Sequence, residues 1–527
     1  MTYRPIDVDG AFYASEYGLP RLAAKVAALA KLTPDQIADL KDQSEITVSR
    51  ADCVQRACAR IMAAASNGEK VFIGGDYDAD GICATAIMKK TLHALGIENG
   101  YYIPDRLKEG YGLSVKTVEM AKERGYSLII TVDNGVKATD AINRAHELGM
   151  DVIVTDHHVM EDEVLADIVV HPDYMEDFCS TLCGAGVAFQ ISRTLIGSDP
   201  TLTAIAACAS IGDVMPLWKE TRKIVCAGLD IMNHGMPLSL VQLVNRPNID
   251  VETVAFQIVP KLNAVSRMND DSNVNTLIPY LLCEDPRMIA GYAQDLERVN
   301  KDRRNLSARL VRKAEKLMDD SDFALLYDPA FESGINGLVA GKMAGKFHRP
   351  VLVMSDNGDL LTGSARSVPG FDIHDFFSDF RYLQGFGGHP MAAGLSIKKE
   401  DLDAFKKEMD EKMEDSGFVY QEPIIPAISC SVDEITTMEI LGLDIFEPYP
   451  KDLVQPVFAV HDLGDVQVKR YPTVVRYSCE TKHGTFEAVK FGGGADLPDC
   501  PREVIGRLSL NRFHDRITPQ LIIEEIH

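Results

Sequence analysis

Residues 71–81 read Val-Phe-Ile-Gly-Gly-Asp-Tyr-Asp-Ala-Asp-Gly. A short apolar run closed by turn residues reads as a buried strand, and the amphipathic stretch 82–95 behind it reads as a helix. In an extended segment alternate side chains share a face, so Asp76, Asp78 and Asp80 can point the same way. Gly81 lets the chain turn sharply into the helix. Three bare carboxylates repel one another, so they need cations, hydrogen-bond donors or raised pKa values.

The same grammar repeats outward. SLIITVDNG (127–135) ends a strand on Asp133, and DVIVTDHH (151–158) ends one on Asp156, His157 and His158. Amphipathic stretches at 115–124 and 138–148 separate these runs, which is βαβ alternation and predicts a doubly wound parallel sheet from about 71 to 170. Ligands of open α/β sheets gather at the carboxyl ends of strands. Three strand ends therefore deliver carboxylate and imidazole groups to one crevice, and Asp213 in SIGDVMPL follows an apolar helix as a fourth source. Oxygen ligands with one or two imidazoles and no thiolate suit Mn²⁺ or Mg²⁺ better than structural zinc, and there are enough of them for two ions.

Simpler readings stand beside each motif. A calcium loop of the EF-hand type needs Glu at its twelfth position, where this chain has Ile87. Asp133 alone could be a helix cap. A His-His pair alone is more often surface or core than ligand. The coincidence of three strand ends carrying ligand types favours the metal site.

The remaining chain is sorted by pattern. Its 527 residues suffice for about three or four domains. The reading divides them into an N-terminal helical region (1–69), a first α/β domain (70–284), a connecting helix (285–320), a smaller second α/β domain (321–418) and an alternating apolar/polar region (425–527) that predicts a small antiparallel barrel. The amino terminus lacks a signal-peptide pattern, and no apolar run reaches the ~18 residues needed to span a bilayer. Eleven scattered cysteines fit a reducing cytosol, so a cytoplasmic location is expected. A net charge of −24 excludes indiscriminate coating of nucleic acid. Phosphate contact then needs a local basic strip, and residues 300–316 (NKDRRNLSARLVRKAEK) hold seven basic residues against two acidic ones; a solvated helix face explains them equally well.

The order GGDYDADG, TVDNG, TDHH, GDVMPL resembles the DHH phosphoesterases. GSARS (363–367) and GFGGHPMAAGLSI (385–397) resemble their DHHA1 domain. PDRLKEGYG (104–112), PKLNAVSRMND (260–270), NKDRR (300–304), GINGLVAGKMAGKFHRPVLVM (334–354) and LSLNRFHDRITPQLIIEEI (508–526) resemble the RecJ branch, the last of these its closing OB-fold strands. The resemblance covers roughly 50–527 and implies two α/β lobes, DHH and DHHA1, joined by a long helix, plus an OB-like barrel. It implies a single-stranded-DNA-specific 5′→3′ exonuclease releasing 5′-mononucleotides with two divalent cations, Mn²⁺ or Mg²⁺, in DNA repair and recombination.

By the same resemblance Asp78, Asp80, Asp133, His157 and Asp213 are metal ligands, Asp133 bridging, with Asp76 a further ligand or a neighbour of one. Asp156 orients a histidine and His158 faces the phosphate. Arg267 and His389 contact the scissile phosphate. Arg106, Ser364 and Arg366 hold a 5′-phosphate, and Arg303 touches the backbone further along. Arg267 and Arg303 could instead be ion-pair partners, and His389 could satisfy a backbone carbonyl. Tyr77 and Tyr111 read better as packing residues than as base platforms. Implied partners are 5′-phosphorylated single strands, a single-strand-binding protein and a RecQ-type helicase; no membrane is involved, and a monomer is expected. The chain departs from the family's pattern at His171-Pro172, at Gly212-Asp213 and at EPYPKDLVQPVF (447–458). Three alternatives remain: a phosphodiesterase for short oligonucleotides or cyclic dinucleotides, a non-catalytic binding module, and a family II inorganic pyrophosphatase, for which the chain is too long.

Overall fold

The computed structural model describes residues 2–268, 272–492, 497–513 and 516–527. Asn269 and Asp270 of the 260–270 motif, and His514 and Asp515 of the closing strands, lie outside the described residues. The chain forms two compact units: residues 45–215 with 219–421, and residues 1–44 with 216–218 and 422–527. It opens with β1 (Thr2–Ile6), which belongs to the second of these.

The larger unit contains two five-stranded sheets. In the first, β2 (Val71–Gly74), β3 (Asn99–Tyr102), β4 (Leu128–Val132), β5 (Asp151–Thr155) and β6 (Ile168–Val170) lie all parallel in the order β3-β2-β4-β5-β6. Both faces are covered, as the unbroken apolar strands require. Phe72, Ile129, Val152 and Val154 pack with Val118, Ala121, Ile142 and Ala145 of the helices Val115–Glu123 and Thr139–Glu147. The alternate positions Ile73, Ile130 and Ile153 are also fully buried, on the side of the helices Ala79–Ala94 and Gly184–Ile196. Each such side chain contributes about 1.5–3 kcal/mol over exposure, so the strand ends that carry the polar groups are firmly anchored. From β2 the chain goes first to β3 on one side and then to β4 on the other. The strand order therefore reverses between β2 and β4, the position where an open parallel sheet leaves a crevice at its carboxyl edge.

Helix Val251–Thr253 runs through a π-helical turn, Val254–Ile258, into Val259–Val265. Pro260, which lacks a donor, is the second residue after the widened turn. The helix Pro286–Leu317 has 32 residues, about 48 Å, with Pro286 at its first position and Asp285 capping the N–H groups of Arg287 and Met288. It leads to β7 (Ala324–Tyr327), β8 (Val351–Asn357), β9 (Leu360–Arg366), β10 (Leu383–His389) and β11 (Ala392–Lys398), in the order β10-β11-β9-β8-β7, parallel only between β7 and β8. Its core is rich in phenylalanine: Phe323, Phe371, Phe377, Phe380 and Phe405.

In the smaller unit, β12 (Ile424–Ser431), β13 (Val457–His461), β14 (Gln467–Arg470), β15 (Val474–Thr481), β16 (Gly484–Phe491), β17 (Glu503–Phe513) and β18 (Arg516–Ile526) join β1 in one sheet, ordered β1-β12-β13-β17-β18-β16-β15-β14. The alternating sequence forms strands as expected, but three pairings, β1/β12, β12/β13 and β16/β18, are parallel. Period-two alternation identifies a strand and its faces and carries no information on a partner's direction. Residues 1–69, expected to be a helical region, hold four helices together with β1; Leu22, Val26 and Ala27 pack on Phe446, Phe458 and Phe486, whereas the helix Asp52–Asn67 lies in the larger unit. No helix among the described residues is long and apolar enough to cross a membrane.

Candidate metal centre and phosphate site

The carboxyl end of β2 continues as Gly75-Asp76-Tyr77-Asp78 before the helix Ala79–Ala94. Asp78 caps that helix, its Oδ1 accepting the N–H of Asp80 (2.9 Å) and Gly81 (3.1 Å). Asn263 Oδ1 accepts the Ala79 N–H at 2.8 Å, tying the turn to the helix that leads to Arg267. Asp80 points to the first turn of Gly184–Ile196, where its two oxygens accept the N–H of Gly184 (2.7 Å) and Ala185 (2.8 Å). A helix start offers free N–H groups that a carboxylate satisfies. Gly184 is required there: a Cβ would lie 2.5 Å from Asp133 Oδ1.

Asp133 has φ +61°, a left-handed conformation that costs a non-glycine residue about 1–2 kcal/mol and turns its side chain back toward β2. Val214, next to Asp213, has φ +55°. Nε2 of His157 lies 3.2 Å from Asp133 Oδ1, 3.6 Å from Asp213 Oδ2 and 3.7 Å from Asp80 Oδ2. Three overlapping groups of possible ligand atoms result, each within 4.8 Å: Asp76, Asp78 and Asp133; Asp80, His157 and Asp213; Asp133, His157 and His158. Asp133 and His157 each belong to two.

This cluster is held under electrostatic stress. Burial, then repulsion from Asp80, Asp78 and Asp76, pushes the Asp133 carboxyl well above the usual carboxylate range. Burial and Asp78 do the same to Asp76, and burial and Asp80 raise the pKa of Asp78. Burial lowers the pKa of His157, favouring the neutral imidazole a metal needs. Oδ1 of Asp76 and Oδ1 of Asp133 are buried and, among the described residues, accept no hydrogen bond. Unpartnered buried carboxylate oxygens beside a neutral imidazole are the donors that hard divalent cations take, so the residues present fit such ions.

Asp156 has a different task. Fully buried, it accepts the N–H of Val136 (3.1 Å), His157 (2.8 Å) and His158 (3.2 Å), and lies 2.7 Å from His158 Nδ1. Burial opposes ionisation, but the bond from His158 prevails and the Asp156 pKa is lowered; that of His158 is raised against burial by the same bond. Nδ1 is thus the donor to Asp156, and Nε2 is the other ring nitrogen. Tyr111 Oη donates to the Asp133 carbonyl at 2.9 Å and sits 3.2 Å from His158 Nδ1, a positioning contact. His171 Nε2 bonds the His158 carbonyl at 3.0 Å, so the departure at His171-Pro172 buttresses the triplet.

A basic group faces these acids. The Arg106 guanidinium lies 4.8 Å from the Tyr77 ring centre, and Tyr77 meets Tyr111, itself 47% exposed, edge-on. Burial, then Arg106 and Arg303, pulls the pKa of Arg267 down to about 10, with Asp78 acting against this. Burial and Arg106 lower that of Arg366, which lies along Gly337 of the helix Ser333–Phe347, where a Cβ would meet its Nη2 at 2.7 Å and Ser364 Oγ at 3.6 Å. Arg303 is half-buried, its Nε donating to Asn300 Oδ1 at 3.1 Å. Arg106, Arg267, Arg303 and Arg366 therefore share one field, and Ser364 lies beside Arg366. His389 ends β10, exposed; among the described residues no hydrogen bond or ion pair joins it to the acids or the arginines.

Sequence reading missed the amides that brace the site. Asn134, fully buried, donates to the Gly74 (3.0 Å) and Val132 (2.9 Å) carbonyls and accepts the Leu113 N–H (3.1 Å). Asn275 clamps Ile103 through its N–H and C=O, fixing the segment that carries Arg106. The small-residue start of the helix at Gly184 was a visible signal; single asparagines carry none.

Three family models match the chain: DHH family, N-terminal domain (residues 70–212), DHHA1 domain (320–415) and RecJ OB domain (428–525). The single-stranded-DNA-specific exonuclease RecJ of Bacillus subtilis is 34% identical over 504 residues, covering 90% of this chain and 63% of that protein. This chain thus spans less than two thirds of that relative's length. The protein of the same name from Thermus thermophilus is 33% identical over 493 residues, 88% of this chain and 69% of that one. A crystal structure of Thermus thermophilus RecJ in complex with Mn²⁺ matches with TM-score 0.83 at 24% identity, over all of this chain and 79% of that one. A crystal structure of exonuclease RecJ bound to manganese matches with TM-score 0.61 at 29% identity, over 70% of this chain and 96% of that one.

Proposed function

The chain belongs to the RecJ family, and from that premise we propose that it is a metal-dependent 5′→3′ exonuclease that removes 5′-mononucleotides from single-stranded DNA. The observation that carries this reading is the convergence of Asp76, Asp78, Asp80, Asp133, His157, His158 and Asp213 into overlapping ligand groups under a field of four arginines. Phosphodiester hydrolysis needs that pairing of a cation-holding wall and a phosphate-holding wall.

Asp78, Asp80, Asp133, His157 and Asp213 would hold two divalent cations, Mn²⁺ or Mg²⁺, with Asp133 shared and Asp76 supporting. When bound, such ions supply an acidified water and charge neutralisation at the scissile phosphate. The chain does the rest. Asp156 fixes the His158 ring so that Nε2 is the nitrogen available to a phosphate oxygen. Arg267, desolvated and still cationic near neutral pH, offers a planar fork of donors to charge that develops on phosphorus oxygens. Arg106, Ser364 and Arg366 hold the terminal 5′-phosphate, and anchoring the strand end is what makes cleavage exonucleolytic and gives it polarity. Arg303 takes a phosphate further along, and His389 reaches the scissile phosphate from β10. The OB domain holds the incoming strand by stacking and backbone charge.

Repair and recombination are the setting, a single-strand-binding protein and a RecQ-type helicase are the partners, and the protein acts as a cytoplasmic monomer. The test is incubation with 5′- or 3′-labelled single strands and Mn²⁺. Mononucleotides released from the 5′ end support the reading; preferential hydrolysis of dinucleotides, or cleavage from the 3′ end, overturns it.

A further inference from the structure

The helix Pro286–Leu317 carries nine basic residues and four acidic ones within a chain of net charge −24. At about 100° per residue, Arg287, Arg298, Lys301, Arg309, Arg312 and Lys316 fall within an arc of about 80°. All six are exposed. Ile289, Ala293, Leu296, Leu310 and Ala314, which are buried, define the opposite side. Arg303 is on that inward side, consistent with its effect on Arg267. No acidic residue of the helix falls within the arc; Asp302 borders it, and Arg309 and Arg312 share a groove of ≈ 690 Å³ with Asp302 and Glu332. Among the described residues Arg287, Lys301, Arg309, Arg312 and Lys316 form no ion pair, and Arg298 lies only 3.7 Å from exposed Asp295.

The helix gains little from this arrangement: only Lys316, in its last turn, and Arg298, 3.7 Å from Asp295, have a favourable local setting. Arg298/Lys301, Arg309/Arg312 and Arg312/Lys316 are like-charge neighbours at spacings of three or four, each costing about 0.2–0.5 kcal/mol. Arg287 stands in the first turn, where the helix dipole disfavours a cation. From Arg287 to Lys316 the stripe is about 44 Å long. That exceeds one turn of duplex DNA, about 34 Å. No aromatic side chain lies on the stripe, so it offers charge to a backbone and no stacking platform to unpaired bases.

We propose that this outward face is a docking track for double-stranded DNA, the duplex arm adjoining the strand under degradation. It rests on the nuclease reading for its purpose but is separate from the acid and arginine groups of the active site. The track holds the enzyme beside a junction while the single strand enters from its 5′ end.

The experiment uses the full chain and a blunt 5′-hydroxyl duplex of about 20 base pairs without divalent metal, read by fluorescence anisotropy against salt. Wild type is expected to bind, with log K falling linearly with log salt. The quadruple variant Lys301→Gln, Arg309→Gln, Arg312→Gln, Lys316→Gln should bind at least about tenfold more weakly, with a slope shallower by about 3 to 4. Its hydrolysis of a 5′-phosphorylated tetranucleotide with Mn²⁺ should match wild type. Duplex binding that is absent in wild type or unaltered in the variant overturns the track. So does a salt-sensitive self-association that the variant loses while duplex affinity stays. Absence of hydrolysis by both proteins would instead strike the nuclease reading, leaving the anisotropy result to decide the track.

Discussion

The two five-stranded sheets of the larger unit deliver chemistry in opposite ways. The first is wholly parallel, and Asp76, Asp133, Asp156 and the two histidines all follow the carboxyl ends of β2, β4 and β5. The second is mostly antiparallel, and places Ser364 and Arg366 within β9 and His389 at the tip of the β10–β11 hairpin. In a parallel sheet every strand points its end at one edge, so neighbouring strands concentrate like groups there. The outcome is a crowd of carboxylates that raise one another's pKa. On the opposing side burial, and then neighbouring arginines, lower the pKa of Arg267 and Arg366. Both groups are strained by burial and like charge, and under the proposed function both would be relieved by what the substrate complex brings: cations to one, phosphate to the other. Stability is given up where binding will return it.

The largest expected effect tests the acidic side. Asp133→Asn keeps the shape but removes the carboxylate common to two ligand groups. Hydrolysis of labelled single strands should fall by at least about 10³-fold, and single-strand binding in EDTA should persist. A decrease under tenfold would mean that the acids are not the reacting centre. Next comes the basic side. Arg267→Ala should lower kcat by about 10²- to 10³-fold, the cost of losing one donor to developing charge, and Arg366→Ala should mainly raise KM for 5′-phosphorylated strands. If the two variants behave alike, the division between scissile and terminal phosphate fails. A smaller loss, about 10- to 100-fold, is expected for Asp156→Asn. It keeps an acceptor for one backbone N–H but cannot serve the four donors that Asp156 meets, so metal affinity measured by calorimetry should fall with activity.

How much of this was readable beforehand differs between the same two sheets. Runs such as LIITV and DVIVT are short, apolar and closed by Asp, so strand, edge and ligand type are all local information. The triads of Asp76, Asp78 and Asp133 and of Asp133, His157 and His158 join residues whose grouping follows once the strands are parallel neighbours, whereas Asp213 of the third comes from the end of the helix Pro200–Gly212. Arg106, Arg267, Arg303 and Arg366 lie in a turn, a helix end, a long helix and a strand; no pattern in the chain says that they share one field, and a family resemblance grouped them. The braces Asn134, Asn263 and Asn275 were invisible because an amide's role depends on which backbone groups come to it. The pairing of β1 with β12 joins Thr2 to Ile424, a contact with no local signal at either end.

The smallest effect follows from the carboxylates alone. With metal removed by EDTA, Asp76, Asp78 and Asp133 have folded-state pKa values above their unfolded ones. Groups with raised pKa bind protons more readily folded than unfolded, so their ionisation destabilises the fold, and stability returns as pH falls toward the ordinary carboxylate range. The metal-free protein should therefore melt higher at about pH 5.5 than at about pH 8, whereas saturating Mn²⁺ should raise Tm at pH 8 and flatten that dependence, a ligand at 100 times its Kd adding about 2.7 kcal/mol. Asp133→Asn should raise the metal-free Tm at pH 8, weaken its pH dependence and lose most of the Mn²⁺ shift, whereas Arg366→Ala should leave the metal response intact. Differential scanning calorimetry of the three proteins decides it. A metal-free Tm that rises with pH, or a full Mn²⁺ shift in Asp133→Asn, would show that the acidic group is not under the repulsion inferred from its burial, and the contrast between the two sheets would lose its electrostatic basis.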